Sequence, residues 1–168
     1  MAGALIITAA IAPQDLSWIE ALRRAHYPPE RNRVPAHLTL FHALPPSAES
    51  EVRARLASLV RQEPPPAMVA GLMDLNGGVA FRVISPALDR LRDDLQRDLH
   101  GLLGPQDRGG WRPHITIQNK APPKAARALK QALERSFAER PLAIDGLAIH
   151  RYLDGPWEDV AVYRFRPR

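Results

Sequence analysis

The chain has 168 residues, a net charge of +5 at pH 7 and an isoelectric point near 10.2, a basic surplus that favours anionic partners such as nucleic acid or phosphorylated metabolites. Its 45% hydrophobic and 24% charged composition is that of a globular protein, and its length favours one domain over residues 1–168. Cysteine is absent, which excludes disulfides and thiolate metal sites and suits a reducing, cytoplasmic environment.

The first predicted element is a buried strand over residues 4–11. The apolar run at 4–12 ends in small residues, as a secretory signal would, but no Lys or Arg precedes it. It is also shorter than the ~18 apolar residues that a membrane span needs, so we expect no membrane association. A helix is predicted next, over 15–26, and the loop YPPERNRV follows at 27–34.

Helices and strands continue to alternate along the rest of the chain. Ser85 followed by Pro86 is typical of a helix start. The turns NGG at 76–78 and LDG at 153–155 are typical of β-hairpins. Apolar patterns predict helices over 47–62, 86–103 and 124–139 and strands over 67–75, 79–84, 142–150 and 157–166.

One four-residue pattern occurs twice, each time shortly after a proline. PAHLTLF at 35–41 and RPHITIQ at 112–118 both contain His, an apolar residue, Thr and a second apolar residue. The chain has three threonines, and two of them stand in this pattern. Because side chains alternate across a strand, each copy places its His and Thr on one face and its apolar residues on the other. Each copy therefore presents an imidazole beside a hydroxyl.

The two copies lie 77 residues apart (114 − 37), and the same shift aligns the elements around them. Loop 27–34 falls on 104–111, and helix 47–62 falls on 124–139. We therefore predict an internal repeat, at approximately 1–78 and 79–168, within a single domain. Mixed element order with hairpin turns favours an α+β fold. We expect two lobes in a pseudo-twofold arrangement, mixed or antiparallel sheets around a central cleft, helices outside, and the motif strands placed centrally, facing that cleft.

Two imidazoles across a cleft suit general acid–base catalysis, because an unperturbed histidine titrates near neutral pH. The neighbouring hydroxyls can donate hydrogen bonds to the non-bridging oxygens of a phosphate. One histidine can then activate water while the other protonates the departing oxygen of a phosphodiester. This chemistry needs no metal ion and no cofactor, and none is predicted.

The doubled motif, its separation and the duplicated layout resemble the two-histidine phosphoesterase superfamily. Within it, the chain is most similar to the bacterial 2′-5′ RNA ligase and RNA 2′,3′-cyclic phosphodiesterase group. The resemblance implies that His37 donates a proton to the leaving oxygen, that His114 activates water, and that Thr39 and Thr116 bind the phosphate. It also implies that the 3′ oxygen leaves and a 2′-phosphate remains. The stretch HLTLFHALPP departs from the group, many of whose members continue the first motif with a glycine-containing turn.

The other histidines lack the motif. His42 lies five residues after His37 and would face the opposite way in a regular strand. A zinc site made of these two and His114 would have no carboxylate partner, so a metal site is not predicted. The histidines interpreted as structural are His26, His100 and His150.

Aromatic and basic residues near the motifs are candidates for the rim of the substrate site. Trp111 and Tyr27 lie in the loops that enter the motifs, where a ring could stack on a base or pack in the core. Arg112, directly before Pro113, could pair with phosphate. Further rim candidates are Lys120, Arg31, Arg33 and Arg108.

The sequence leaves more than one function open. We expect an enzyme that opens 2′,3′-cyclic phosphates on RNA ends or small nucleotides, acting as a monomer without an obligate protein partner. The reverse reaction, ligation by an RNA hydroxyl in place of water, uses the same residues. The alternative from another class is a non-catalytic nucleotide- or RNA-binding module of the same fold. Two intact motifs favour the enzyme, because a binding module has little need of both imidazoles.

Overall fold

The structure is a computed structural model that describes residues 3–167. Over these residues the chain forms two four-stranded antiparallel sheets and five α-helices, which confirms the predicted α+β class. The strands are β1 (Leu5–Ile11), β2 (Leu38–Leu44), β3 (Met68–Asp74), β4 (Val79–Ile84), β5 (His114–Gln118), β6 (Arg140–Pro141), β7 (Ile144–Tyr152) and β8 (Trp157–Arg164). The helices are α1 (Pro13–His26), α2 (Glu49–Leu59), α3 (Pro86–Asp98), α4 (Pro105–Arg108) and α5 (Pro123–Ser136).

Each sheet takes strands from both halves of the chain. The first sheet has the order β2-β1-β7-β8 and the second has the order β5-β4-β3-β6. The lobes therefore do not coincide with residues 1–78 and 79–168, because β3 joins the second sheet while β7 and β8 join the first. Both motif strands, β2 and β5, are edge strands of their sheets rather than central ones, and they contact each other where the sheets meet.

Two tight hairpin turns confirm the predictions made from NGG and LDG. Asn76 and Gly77 have φ values of 56° and 127°, and Asp154 and Gly155 have φ values of 57° and 132°. Positive φ at both central residues is the requirement of a two-residue hairpin turn, which Asn-Gly and Asp-Gly meet at low cost. The second turn positions β8 against β7, and so brings the start of β8 to the motif region.

A single hydrophobic core runs through both sheets. The run at 4–12 forms β1, which is buried over almost its whole length, as expected for a strand inside a sheet. The helix α3 begins at Pro86 with Ser85 as its N-cap, whose hydroxyl accepts a hydrogen bond from the Leu88 N–H at 3.2 Å. It ends at Asp98 rather than at 103, because the chain tightens into a 3₁₀ turn. No helix in the described range is long and apolar enough to cross a membrane.

Candidate active site

The two motif histidines are held by the same main-chain contact. His37 directly precedes β2, and its Nδ1 lies 2.7 Å from the Pro35 carbonyl oxygen. His114 is the first residue of β5, and its Nδ1 lies 2.7 Å from the Arg112 carbonyl oxygen. A carbonyl oxygen only accepts, so Nδ1 donates in both rings and carries the proton of each neutral imidazole. Nε2 of each ring is therefore the nitrogen that can act on a substrate.

The environment of His37 disfavours its charged form. Burial lowers the pKa of His37 to about 4, although the hydrogen bond to Pro35 opposes the shift, and the nearby basic groups of Arg23, His150 and His114 lower it further. The ring lies in a concave pocket, so it is surrounded by protein and still partly accessible. Because charge on His114 affects it, the two motif rings lie in one electrostatic environment. His37 is therefore neutral at pH 7 in the free protein.

The motif threonines Thr39 and Thr116 accept hydrogen bonds through their main-chain carbonyl oxygens from side chains of other segments. Thr39 and Thr116 are half-buried in β2 and β5. The Trp111 indole Nε1 donates to the Thr39 carbonyl oxygen at 3.0 Å, and Arg23 Nη1 donates to the Thr116 carbonyl oxygen at 2.7 Å. Edge strands expose carbonyl groups that need partners, and these side chains supply them.

A second buried arginine, Arg92, also donates a hydrogen bond to a main-chain carbonyl oxygen of β2. Arg92 on α3 donates from Nε to the Leu40 carbonyl oxygen at 3.1 Å and from Nη2 to the Asp107 carbonyl oxygen at 3.1 Å. Its guanidinium also lies 4.6 Å from the centre of the Phe41 ring. Burial lowers the pKa of Arg92 despite the neighbouring Asp107 carboxylate. This arginine therefore connects α3, β2 and the loop that leads to His114.

Asp107 on α4 fixes that loop against β2. Its carboxylate accepts hydrogen bonds from the main-chain N–H of His42 at 2.8 Å, the N–H of Ala43 at 3.0 Å and His42 Nδ1 at 3.0 Å. Burial alone would raise the pKa of Asp107, but these hydrogen bonds outweigh burial and hold the pKa below its usual value. His42 thus has a structural contact, and α4 was not predicted from the sequence.

A pocket of about 290 Å³ opens beside His37. It lies over β1, β7 and β8, which place Thr8, His150 and Trp157 in its wall, and Arg33 stands in the loop that closes it. The Trp157 ring centre is 4.5 Å from that of His37 and 5.3 Å from that of His150. The volume is at the lower end of the range for small-molecule sites, roughly 300–1,000 Å³.

His150, which the sequence analysis interpreted as structural, makes two side-chain hydrogen bonds and also lines this pocket. Its Nε2 lies 2.9 Å from Thr8 Oγ1, its Nδ1 lies 2.9 Å from Asp159 Oδ1, and all three residues line the pocket that holds His37. The signal was present in the sequence: counting outward from the Asp154-Gly155 turn pairs His150 with Asp159, as the structure does.

Of the predicted rim residues, the two aromatic ones pack against other side chains and the two basic ones are exposed. Trp111 packs against the core and donates to the Thr39 carbonyl oxygen, while Tyr27 ends α1 with its ring 4.0 Å from the Arg23 guanidinium carbon. Arg112 is exposed beside His114, and Lys120 is exposed in the turn after β5 with a φ of 58°.

Two further basic residues lie close to the motifs: Arg33, which was among the rim candidates, and Arg82, which was not. Arg82 on β4 is the register partner of His114, so its side chain shares a face of the second sheet with that ring. Arg33 lines the His37 pocket and packs over Gly155. Within residues 3–167, no cluster of His, Asp and Glu is arranged to hold a metal ion.

A family model described as the 2′-5′ RNA ligase superfamily matches residues 10–156. No curated protein matches in sequence.

Several solved structures share the fold over nearly the whole chain. TT0787 of Thermus thermophilus is 19% identical, with 98% of this chain and 99% of that chain covered and a TM-score of 0.67. E. coli LigT complexed with 3′-AMP is 18% identical, with the same coverage and a TM-score of 0.62. A further phosphoesterase structure is 16% identical, again over 98% and 99% of the two chains, with a TM-score of 0.63. At these identities the likeness concerns the fold.

Proposed function

The chain belongs to the 2′-5′ RNA ligase superfamily, and from this premise we propose that it is a metal-independent phosphodiesterase hydrolysing 2′,3′-cyclic phosphates of RNA ends or nucleotides to 2′-phosphates. One observation carries the proposal. Both motif imidazoles donate from Nδ1 to the carbonyl oxygen two residues upstream, at 2.7 Å in each case, which leaves a matched pair of Nε2 atoms for the substrate. A pair of this kind suits in-line displacement at phosphorus, with one ring on each side.

The proposed reaction moves two protons. His114 Nε2 accepts a proton from water as the water oxygen bonds to phosphorus. The bond from phosphorus to the 3′ oxygen breaks, and His37 Nε2 gives its proton to that oxygen. Thr39 and Thr116 donate hydrogen bonds to the non-bridging oxygens, whose charge grows in the transition state. Exchange of protons with solvent restores the starting state.

The low pKa of His37 has to be reconciled with its role as the acid. A neutral ring cannot donate from Nε2, and at about 4 the pKa leaves His37 neutral in the free protein at pH 7. A phosphodiester carries a negative charge, and an opposite charge within ~4–6 Å favours the protonated imidazole. The substrate therefore raises the pKa of His37 on binding, so that the acid is charged in the complex.

The rise of the His37 pKa on substrate binding predicts a measurable difference between the pH dependences of kcat/KM and kcat. For kcat/KM, which reports the free protein, we expect a lower limb near pH 4, because below it both rings are protonated and no base remains. The upper limb arises when both rings are neutral, because neither then carries a proton on Nε2 to give to the leaving oxygen. For kcat, which reports the complex, the lower limb moves to higher pH. Steady-state rates between about pH 3.5 and 9 would show both limbs.

Folding must be checked alongside these rates, because acid also protonates Asp107. The pKa of its carboxyl is depressed in the folded state, so it stabilises the protein above its unfolded pKa and this stability is lost as pH falls through the folded value. Circular dichroism at each pH, with recovery of activity at pH 7, separates the limb from acid unfolding. A lower limb of kcat/KM near the unperturbed histidine value of about 6.5 would contradict the lowering of the His37 pKa by burial.

Comparison with the solved structures supports nucleotides as ligands. E. coli LigT has been solved in complexes with 3′-AMP, with NADP+ and with ATP. The surplus of positive charge and the exposed Arg82 and Arg112 near His114 suit the same class of anion. We further propose that the protein acts as a monomer in the cytoplasm, on RNA ends or small nucleotides.

A panel of substrates in excess EDTA tests the proposed function. It contains 2′,3′-cyclic mononucleotides, oligoribonucleotides ending in a 2′,3′-cyclic phosphate, 3′,5′-cyclic mononucleotides and a linear dinucleotide. We expect turnover of 2′,3′-cyclic members, with a 2′-phosphate product identified by chromatography. A 3′-phosphate product would mean that the ribose binds in the opposite sense. Activity that disappears in EDTA and returns with a divalent ion would overturn the metal-free assignment.

Two other outcomes of the panel identify the alternatives. Tight binding of nucleotides without turnover would indicate the non-catalytic binding module. Joining of a 5′-hydroxyl RNA to a 2′,3′-cyclic end would show the ligation direction, since an RNA hydroxyl then replaces water.

A further inference from the structure

The proposed in-line reaction determines on which side of the site the sugar lies. His37 protonates the leaving 3′ oxygen, and His114 activates the water on the opposite side of phosphorus. The leaving oxygen stays attached to the ribose, so the ribose lies on the His37 side. The base is attached to the same sugar, and the nearest cavity that can receive it is therefore the pocket beside His37.

The floor of this pocket is a patch of small side chains on the first sheet. Thr8 pairs with Ala148, and Ala148 pairs with Val162, across β1, β7 and β8. Ala10 stands two residues after Thr8 and so lies on the same face of β1. In this sheet β2 is the strand that contacts β5, so the patch extends from His37 away from the other lobe.

The polar groups of the pocket lie at its rim or already have partners. Arg33 and Asp159 are exposed. Both nitrogens of the His150 ring have hydrogen-bonding partners within the protein, Thr8 Oγ1 and Asp159 Oδ1, each at 2.9 Å. The Trp157 indole adds an aromatic wall beside His37. A small apolar cavity with an aromatic wall suits a planar aromatic ligand better than a phosphate.

The second lobe does not offer the same space at the matching position. Counted from the strand partner of each motif threonine, Arg82 on β4 corresponds to Ala10 on β1, because each stands two residues further along its strand. Arg82 pairs with Gly71, and Ala10 pairs with Gly146. The Arg82 guanidinium covers its glycine, since Nη2 lies 3.2 Å from the point that a Cβ of Gly71 would occupy. The methyl group of Ala10 leaves the first lobe open instead.

We propose that the pocket beside His37 binds the nucleobase of the nucleotide whose cyclic phosphate lies between the two motif histidines. Ala10 is then a specificity-determining residue, because its small side chain leaves room for the base. The inference rests on the proposed function, since it places another part of the same substrate. It adds a substrate class: cyclic phosphates that carry a base are preferred over those of a sugar without one.

Equilibrium binding to two probes tests the inference without requiring turnover. The probes are adenosine 2′-phosphate and methyl β-ribofuranoside 2-phosphate, which lacks the base, and each is titrated by calorimetry. Ala10→Leu fills the floor at a half-buried strand position. We expect it to weaken binding of the nucleotide about 5- to 100-fold, the range expected when one stacked base loses its contact. Binding of the base-less phosphate should stay unchanged. Ala10→Ser, the matched control, keeps a small side chain and should bind both probes like the wild type.

A second measurement uses the wild type and does not depend on the folding of Ala10→Leu. In protein labelled with ¹³C at the alanine methyl groups, the ring current of adenine should shift the Ala10 and Ala148 resonances, and the base-less phosphate should not. The Ala10 resonance is assigned by its loss in Ala10→Ser. Ala80, next to Thr116 in the other lobe, is the internal control and should respond equally to both probes.

The inference is overturned if the base-less phosphate binds the wild type as tightly as the nucleotide does, or if neither probe binds. It is also overturned if Ala10→Leu weakens both probes equally, or if adenine shifts the Ala80 methyl resonance rather than that of Ala10. Turnover of a 2′,3′-cyclic nucleotide is measured separately. Turnover without the base effects overturns the inference alone, whereas the base effects without turnover support the pocket and overturn the proposed function.

Discussion

Replacing either motif histidine should remove most of the activity. We expect His37→Ala and His114→Ala each to lower kcat for a 2′,3′-cyclic nucleotide by about 10²–10⁴-fold, the usual contribution of one general acid or base. Steady-state kinetics at pH 7 measures the loss. The double variant should lose far less than the product of the single losses, because an acid and a base that act in one step form a unit.

One control and three further variants accompany these substitutions. His100→Ala removes an exposed histidine of the 3₁₀ turn after α3 and should leave kcat unchanged. Thr39→Ala and Thr116→Ala should be milder than the histidine variants, because each removes one hydrogen bond to a charged group, about 1.5–3 kcal/mol. If His42→Ala were as damaging to kcat as His37→Ala while the protein stayed folded, the assignment of His37 as the acid of the pair would be wrong.

Asp107→Ala should be the most damaging single change to stability among the site's supporting residues. The carboxylate is 2% exposed and satisfies the main-chain N–H groups of His42 and Ala43 as well as the His42 ring. Removing it leaves buried donors without a partner, and breaking buried charged contacts of this kind costs about 3–5 kcal/mol. Urea unfolding followed by circular dichroism measures the decrease in the free energy of unfolding.

The matched control is Asp94→Ala, which removes an exposed carboxylate paired with Arg97 on the surface of α3. Its effect on the free energy of unfolding should stay within about 0.5 kcal/mol. Where Asp107→Ala remains folded, kcat should fall as well, because the loop from α4 to His114 loses its attachment to β2. Equal stabilities of the two variants would contradict the role assigned to Asp107.

Elements with strong local signals could be predicted from the sequence. The run LIITAAI gave β1, the Ser85-Pro86 pair gave the start of α3, and the Asn-Gly and Asp-Gly turns gave both hairpins. In each case short-range chemistry decides the outcome: apolar burial, a capped first turn, or positive φ at two successive residues. The motif strands followed from alternation, which brought the imidazole and hydroxyl of each copy to one face.

The exchange of strands between the halves could not be predicted in this way. Whether β3 or β7 pairs within one sheet or the other depends on long-range packing. The hydrophobic pattern within a single segment does not predict that pairing. The expected central position of the motif strands was therefore only partly right: they meet at the junction of the lobes, but as the edges of their sheets. The two antiparallel sheets have matching strand orders, in which β2, β1 and β7 correspond to β5, β4 and β3. The proposed internal repeat accounts for this match.

The supporting residues of the site were missed for a related reason. Arg23 reaches a carbonyl oxygen 93 residues away, and Asp107 reaches main-chain groups 64 and 65 residues away. Such contacts satisfy edge-strand groups that exist only once the sheets are assembled. The contact of His150 was also missed, but it could have been predicted, because the register of the hairpin alone places His150 opposite Asp159. Titratable residues that face each other across a predicted hairpin are therefore worth pairing before they are assigned to the core.

The most direct test of the central claim follows one substrate by phosphorus NMR in excess EDTA. A 2′,3′-cyclic mononucleotide is incubated with the wild type and, in parallel, with the His37→Ala/His114→Ala double variant. Our account predicts that the wild type alone replaces the cyclic phosphate resonance with that of the 2′-monophosphate. Conversion at the same rate by both proteins, or by neither unless a divalent ion is added, would contradict metal-free catalysis by the two histidines.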